Sequence, residues 1–197
     1  MSQQRVMRCD KLGDKIKARH DLLVLAWCRI LRRAGFACSV EPALHRLLCE
    51  GARMRQLGAR GDVMAVLQAV MALDVSVIHP AAPSHARRAS CVDGAAATER
   101  DDFKRRKYAG NGCAEAFIPL SVETYGRLGK PAIRLVRTLA AAASVGGLLS
   151  RSAFCAAAYT ELSVALVKGQ ERVFRMFAFN LAVEGAQFAP GDLVPSV

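Results

Sequence analysis

The chain has 197 residues, 52% hydrophobic and 23% charged, enough apolar side chains for an ordered core and too few charges for a disordered tail. Its net charge of +11 is unevenly placed: residues 1–55 carry 12 basic against 5 acidic groups and residues 99–137 carry 9 against 5, while the remainder balances. Such blocks suit a face that binds a polyanion, and the longest apolar stretch, Leu139 to Leu149, is too short to span a bilayer.

Residues 1–17 read as a polar N-terminal tail without the apolar core of a signal peptide. From Arg19 the spacing predicts a helix, with Leu22, Leu23, Ala26, Trp27, Ile30, Leu31 and Ala34 in one apolar stripe. Arg29, Arg32 and Arg33 fall mainly off that stripe, and Gly35 supplies the stop. Phe36 to Glu41 reads as a short strand ended by Pro42, and residues 43–58 as a helical turn followed by a loop. Two apolar runs follow, Val63 to Leu67 and Ala72 to Ile78. The second alternates, with Leu73, Val75 and Val77 on one face and Asp74, Ser76 and Ile78 on the other. An antiparallel hairpin is the economical reading; a single helix over residues 63–73 is the competing one.

Residues 79–92 read as a loop, Gly94 to Tyr108 as a helix, and Phe117 to Val122 as a strand despite Pro119. Lys130-Pro131 opens another helix. Residues 150–185 read as two helices parted near Gly169, with apolar faces including Phe154, Leu162 and Leu166, then Val173, Phe174, Phe177 and Leu181. The seven cysteines (Cys9, Cys28, Cys38, Cys49, Cys91, Cys113 and Cys155) contain no CxxC pair, so a reduced intracellular chain is expected.

Among residues that can carry chemistry, Asp62 and Asp74 stand out with the Lys104, Lys107 and Tyr108 group. Two carboxylates about 4 Å apart repel by about 4 kcal/mol at an effective dielectric of about 20. Protonation of one, or a divalent cation between them, relieves that repulsion. A cation so held, with open positions for water and phosphate, suits phosphodiester hydrolysis, and a nearby lysine would offset developing charge. The ordinary alternative makes Asp62 a turn residue and Asp74 a satisfied strand aspartate. Lys104 to Lys107 is a basic run that reads either as a solvated helix face or as a nuclear import signal. His45 and Cys49 share a helical face but gain no further ligand pair. His79 reads as a loop histidine, and Glu123 and Tyr125 either line a cleft or cap a helix.

The order of these elements, with Glu41-Pro42, Arg60-Gly61-Asp62, Leu73-Asp74-Val75-Ser76-Val77 and Lys104 to Tyr108, resembles the PD-(D/E)XK nuclease superfamily. More narrowly it resembles the restriction-like endonuclease domain at the C-terminus of non-LTR retrotransposon polyproteins. Arg19-His20-Asp21 and Phe117 to Gly126 add to the likeness, which covers roughly residues 9–137.

The resemblance implies an α/β fold: a mixed, mainly antiparallel sheet flanked by helices. A helical C-terminal extension follows. The expected organisation is a tail over 1–17 that retains Cys9 of a truncated zinc knuckle, a nuclease-like domain over 18–144 and an extension over 145–197. By the resemblance Asp62 and Asp74 bind metal, Glu41 is a further acidic ligand, Lys107 or Lys104 is the catalytic lysine, and Tyr108 abuts the phosphate. Arg29, Arg32, Arg33, Arg105 and Arg106 would bind nucleic acid.

The implied reaction is Mg²⁺- or Mn²⁺-dependent nicking of double-stranded DNA that leaves a 3′-hydroxyl to prime reverse transcription. Retroelement RNA or a reverse transcriptase segment would be further partners, in the nucleus, with no membrane involved. Gly61 stands where the family has proline, Ser76 where an Asp-x-Lys motif has lysine, and the stretch from Asp74 to Lys104 is long. Two other functions fit: a decayed nuclease-fold remnant that binds nucleic acid through its basic helices, and a non-catalytic helical interaction module.

Overall fold

The computed structural model describes residues 3–40, 62–66, 70–109, 117–147 and 149–187. Expectations that fall on Glu41, Pro42, the His45–Cys49 pair, Arg60, Gly61 and Gly110 to Gly112 lie outside the described residues. The elements run α1 (Gln3–Arg33), β1 (Cys38–Val40), β2 (Val63–Val66), β3 (Val70–Ile78), α2 (Ala86–Ala89), α3 (Ala95–Ala109), β4 (Phe117–Glu123), α4 (Lys130–Val145) and α5 (Arg151–Gln187). One sheet has the order β1-β2-β3-β4; the first three strands are antiparallel neighbours and β3–β4 is parallel. The expected class, a mixed and mainly antiparallel sheet flanked by helices with a helical C-terminal part, is the one observed.

Residues 63–73 are strand, with Val63 opposite Leu73 and Ala65 opposite Met71, so the hairpin holds and the single helix does not. The period-2 pattern of β3 then sorts its side chains between two layers. Leu73, Val75 and Val77 join the main core. Asp74 and Ser76 face the other way, buried at 4% and 5% exposure, and Ala72 packs there with Tyr108 and Phe117. β4 is an edge strand in this order, the place where a proline such as Pro119 is tolerated.

The main core joins the α1 stripe (Leu23, Ala26, Trp27, Ile30, Leu31), the inner face of the sheet, Leu135 to Leu139 of α4, and Phe154, Leu162 and Leu166 of α5. Fully buried side chains of this size each contribute about 1.5–3 kcal/mol. α1 ends as its sequence predicts: Gly35 takes φ +87°, its N–H reaches the Arg32 carbonyl, and the Phe36 N–H reaches the Leu31 carbonyl. That pair of bonds is the glycine-terminated helix stop.

Two expectations fail. α1 begins at Gln3 rather than Arg19, so residues 3–17 are helical and not a polar tail. Residues 150–185 are one helix, not two, because Gly169 marks a helix crossing rather than a break. A Cβ there would lie 2.9 Å from the Arg19 Cα, so the missing side chain is what lets α5 approach α1. Arg29 and Arg33 both bond Glu161 and reinforce this contact.

Candidate metal and phosphate site

α1, the β2–β3 pair and α3 meet at a cleft of about 280 Å³ lined by Arg19, His20, Asp62, Asp74, Arg100 and Lys104, among others. The hydrogen-bond ladder between β2 and β3 brings the two aspartates together. The Asp62 N–H donates to the Leu73 carbonyl at 3.1 Å. One turn of the pleat further on, the Asp62 Oδ2 accepts the Val75 N–H at 2.6 Å, taking the place of a main-chain partner. Both carboxylates line the same cleft and perturb each other's charge, although they stand 12 positions apart in sequence.

Each carboxylate has its own support. Asp62 Oδ2 accepts from His20 Nε2 at 3.1 Å. Burial raises the Asp62 carboxyl, but the His20 hydrogen bond and charge, with the Val75 N–H, outweigh it and hold the group below the usual aspartate value. The hydrogen bond to Asp62 in turn holds the imidazole above its ordinary value despite burial. Lys104 Nζ donates to both oxygens of Asp74, at 2.8 and 2.7 Å. Burial nevertheless pushes the Asp74 carboxyl up, assisted by the negative charge of Asp62 and opposed by Lys104. The two carboxyls are thus shifted in opposite directions, Asp62 down and Asp74 up, within one cleft.

Tyr108 is buried, its ring 4.2 Å from that of Phe117. Burial, then its charge contact and hydrogen bond with Asp74, push its hydroxyl up to about 12. It is absent from the residues that line the cleft, although it interacts with Asp74. Of the two candidate lysines, Lys104 reaches the Asp74 carboxylate, while the Lys107 ammonium sits 5.5 Å above the Tyr108 ring on the exposed side of α3. Ser76 lines the cleft at the position where an Asp-x-Lys motif has its lysine.

The arginines expected to bind nucleic acid divide. Arg29 and Arg33 are engaged with Glu161, and Arg32 and Arg106 are exposed. Arg105 lines a separate groove of about 320 Å³ with Arg134. Glu123, a candidate for the cleft wall, caps α3: its Oε1 accepts the Ala97 N–H at 3.2 Å. Tyr125 and His79 lie beyond the cleft, with ring centroids 5.6 Å apart.

His20, Arg19 and Arg100 join the site without having been singled out as site residues. For His20 the signal was present, since it continues the buried stripe of Leu23 and Trp27 by one turn towards the N-terminus. A polar residue in line with such a stripe has to meet a polar partner. Among the described residues, no group of three or more His, Cys, Asp or Glu is arranged to hold a metal ion. Of the acidic ligands the resemblance implies, Asp62 and Asp74 line the cleft and Glu41 lies outside the described residues. No helix among the described residues is long and apolar enough to cross a membrane. The sequence matches no protein-family model and no curated protein.

Proposed function

We propose that the chain is a metal-dependent DNA endonuclease domain of the PD-(D/E)XK type, of retrotransposon origin, that nicks double-stranded DNA and leaves a 3′-hydroxyl. The observation that carries the reading is the meeting of Asp62 and Asp74 across the hairpin, with Lys104 Nζ 2.7 Å from Asp74. The element order supports it: a helix, three antiparallel strands, the short α2, then α3 and a parallel strand, with the acids at the hairpin and Lys104 on α3. The retroelement origin rests on the motif resemblance, and with it go the element's RNA and reverse transcriptase as partners and a nuclear location.

Two hard oxygen donors facing an open cleft suit a small divalent cation that keeps several of its waters. Asp62 and Asp74 would hold Mg²⁺ or Mn²⁺, with Glu41 as a candidate third ligand. When bound, the ion supplies Lewis-acid polarisation of a phosphoryl oxygen and a more acidic water. His20 bonds Asp62 Oδ2 and favours its ionised form. Lys104 donates to both oxygens of Asp74, and its ammonium would offset charge on a scissile phosphate. Arg19 and Arg100 line the same cleft and supply further positive charge for the phosphodiester backbone.

The test is nicking of supercoiled plasmid in Mg²⁺. The wild-type chain should convert it to open circles, and Asp62→Asn and Asp74→Asn should each abolish conversion. Nicking that survives both substitutions would remove the reading. One observation favours a second reading, a remnant that binds DNA without cutting it. Lys104 already engages both Asp74 oxygens, so that carboxylate is balanced by the chain's own cation. The two readings divide on whether a divalent ion binds at Asp62 and Asp74.

A further inference from the structure

A larger groove, about 650 Å³, lies between the turn after β4 and the middle of α5, apart from the carboxylate cleft. Its walls are Tyr125 on one side and Leu166, Val167 and Phe174 on the other. Tyr125 is 74% exposed, and Val167 and Phe174 are each 65% exposed. Single exposed apolar residues are ordinary, but several around one concavity mark a binding site. The Tyr125 ring is also held in place. It packs edge-on against His79, whose Nδ1 bonds the Thr124 hydroxyl at 2.8 Å.

Two features identify the occupant. Of the charged residues on this stretch of α5, Glu171 and Arg175 line the groove and pair with each other. Lys168 and Arg172 are exposed on the same helix outside its lining and leave the stretch net positive. Aromatic walls beside a net positive helix suit a ligand with a flat ring on an anionic backbone. The groove also shares a wall with the carboxylate cleft. Gln170 lines it, and its Oε1 accepts from Arg19 Nη1 of the cleft at 2.6 Å while its Nε2 donates to the Thr124 carbonyl at 3.3 Å. The Arg19–Gln170 hydrogen bond therefore links the linings of the two. Bases in a duplex are stacked on each other and cannot use such walls, whereas an unpaired base can.

We propose that this groove takes an unpaired nucleobase of a single strand, stacked on Tyr125 and Phe174, whose backbone continues to the Asp62–Asp74 cleft. The proposal deepens the endonuclease reading and rests on it: the substrate would be DNA with unpaired bases beside the nick site.

Binding of a fluorescent 12-residue oligothymidylate and of a blunt duplex of the same length, by the full chain without divalent metal, tests it. The wild-type chain should bind the single strand, and Tyr125→Ala and Phe174→Ala should each weaken it about tenfold, within what one base–aromatic stack supplies. Tyr125→Phe should retain the affinity, because it keeps the ring. Phe177→Ala, exposed on the same helix but outside the groove, should change it less than about twofold. Unchanged affinity in Tyr125→Ala and Phe174→Ala would overturn the proposal. So would a wild-type dimer in sedimentation that Phe174→Ala dissolves without any effect on single-strand binding. Plasmid nicking measured alongside separates the outcomes: loss of nicking in the wild type sinks the endonuclease reading, and loss of ring-dependent binding alone sinks this one.

Discussion

Asp101 offers a quantitative test of how α3 is held beside the sheet. Its residue is 2% exposed; Oδ1 accepts the Ser121 N–H of β4 at 3.3 Å, and Oδ2 has no partner among the described residues. Burial pushes its carboxyl from 3.8 up to about 6, against the opposing effect of the Ser121 hydrogen bonds and Arg105. A folded-state value above the unfolded one favours the neutral acid. The fold therefore bears no penalty below pH about 4 and a growing one as pH rises to about 6 and levels off beyond it. A shift of that size corresponds to about 3 kcal/mol of lost stability at pH 8. Asp101→Asn keeps the shape and removes the charge. Urea unfolding of both chains at pH 4.5 and pH 8 should show the variant more stable by about 2–3 kcal/mol at pH 8 and by only about 1 kcal/mol at pH 4.5. The difference between variant and wild type cancels the other titrating groups. A variant less stable than wild type at pH 8 would refute the reasoning, because it would show the charged form to be well accommodated.

Two further substitutions probe packing and the site. Gly169→Ala should lower stability by about 1–3 kcal/mol in thermal or urea unfolding, because the new methyl would lie 2.9 Å from the Arg19 Cα, a main-chain atom that cannot step aside; an unchanged midpoint would mean the helices do not cross there. Lys104→Met should lower the nicking rate by about 10²–10³, the scale for removing one charge-stabilising donor, while Lys107→Met stays within about twofold. The reverse ranking would reassign the lysine.

The parts of this fold that were legible in the sequence are those set by local period. The stripe from Leu22 to Ala34 gave α1 its buried face and its glycine stop, and the alternation from Leu73 to Ile78 placed Asp74 on the side of the sheet away from the core. Gly169 shows what local reading misses. A glycine in a helical run signals a break or a close approach, and only the position of α1 opposite decides between them. The choice between Lys104 and Lys107 is of the same kind. Both lie within one turn of α3, so the answer depends on where α3 sits along β3, which the long connection through residues 79–94 does not specify. Glu123 looked equally suited to a cleft wall or a cap, and the start of α3 beside the end of β4 decides for the cap.

Calorimetric titration of the wild-type chain with Mn²⁺, repeated with Asp62→Asn and Asp74→Asn, tests the central claim most directly. The account predicts saturable binding in the wild-type chain that disappears in both variants, whose folds are checked by their unfolding midpoints. Equal Mn²⁺ binding by all three chains, or none by the wild type, would contradict it.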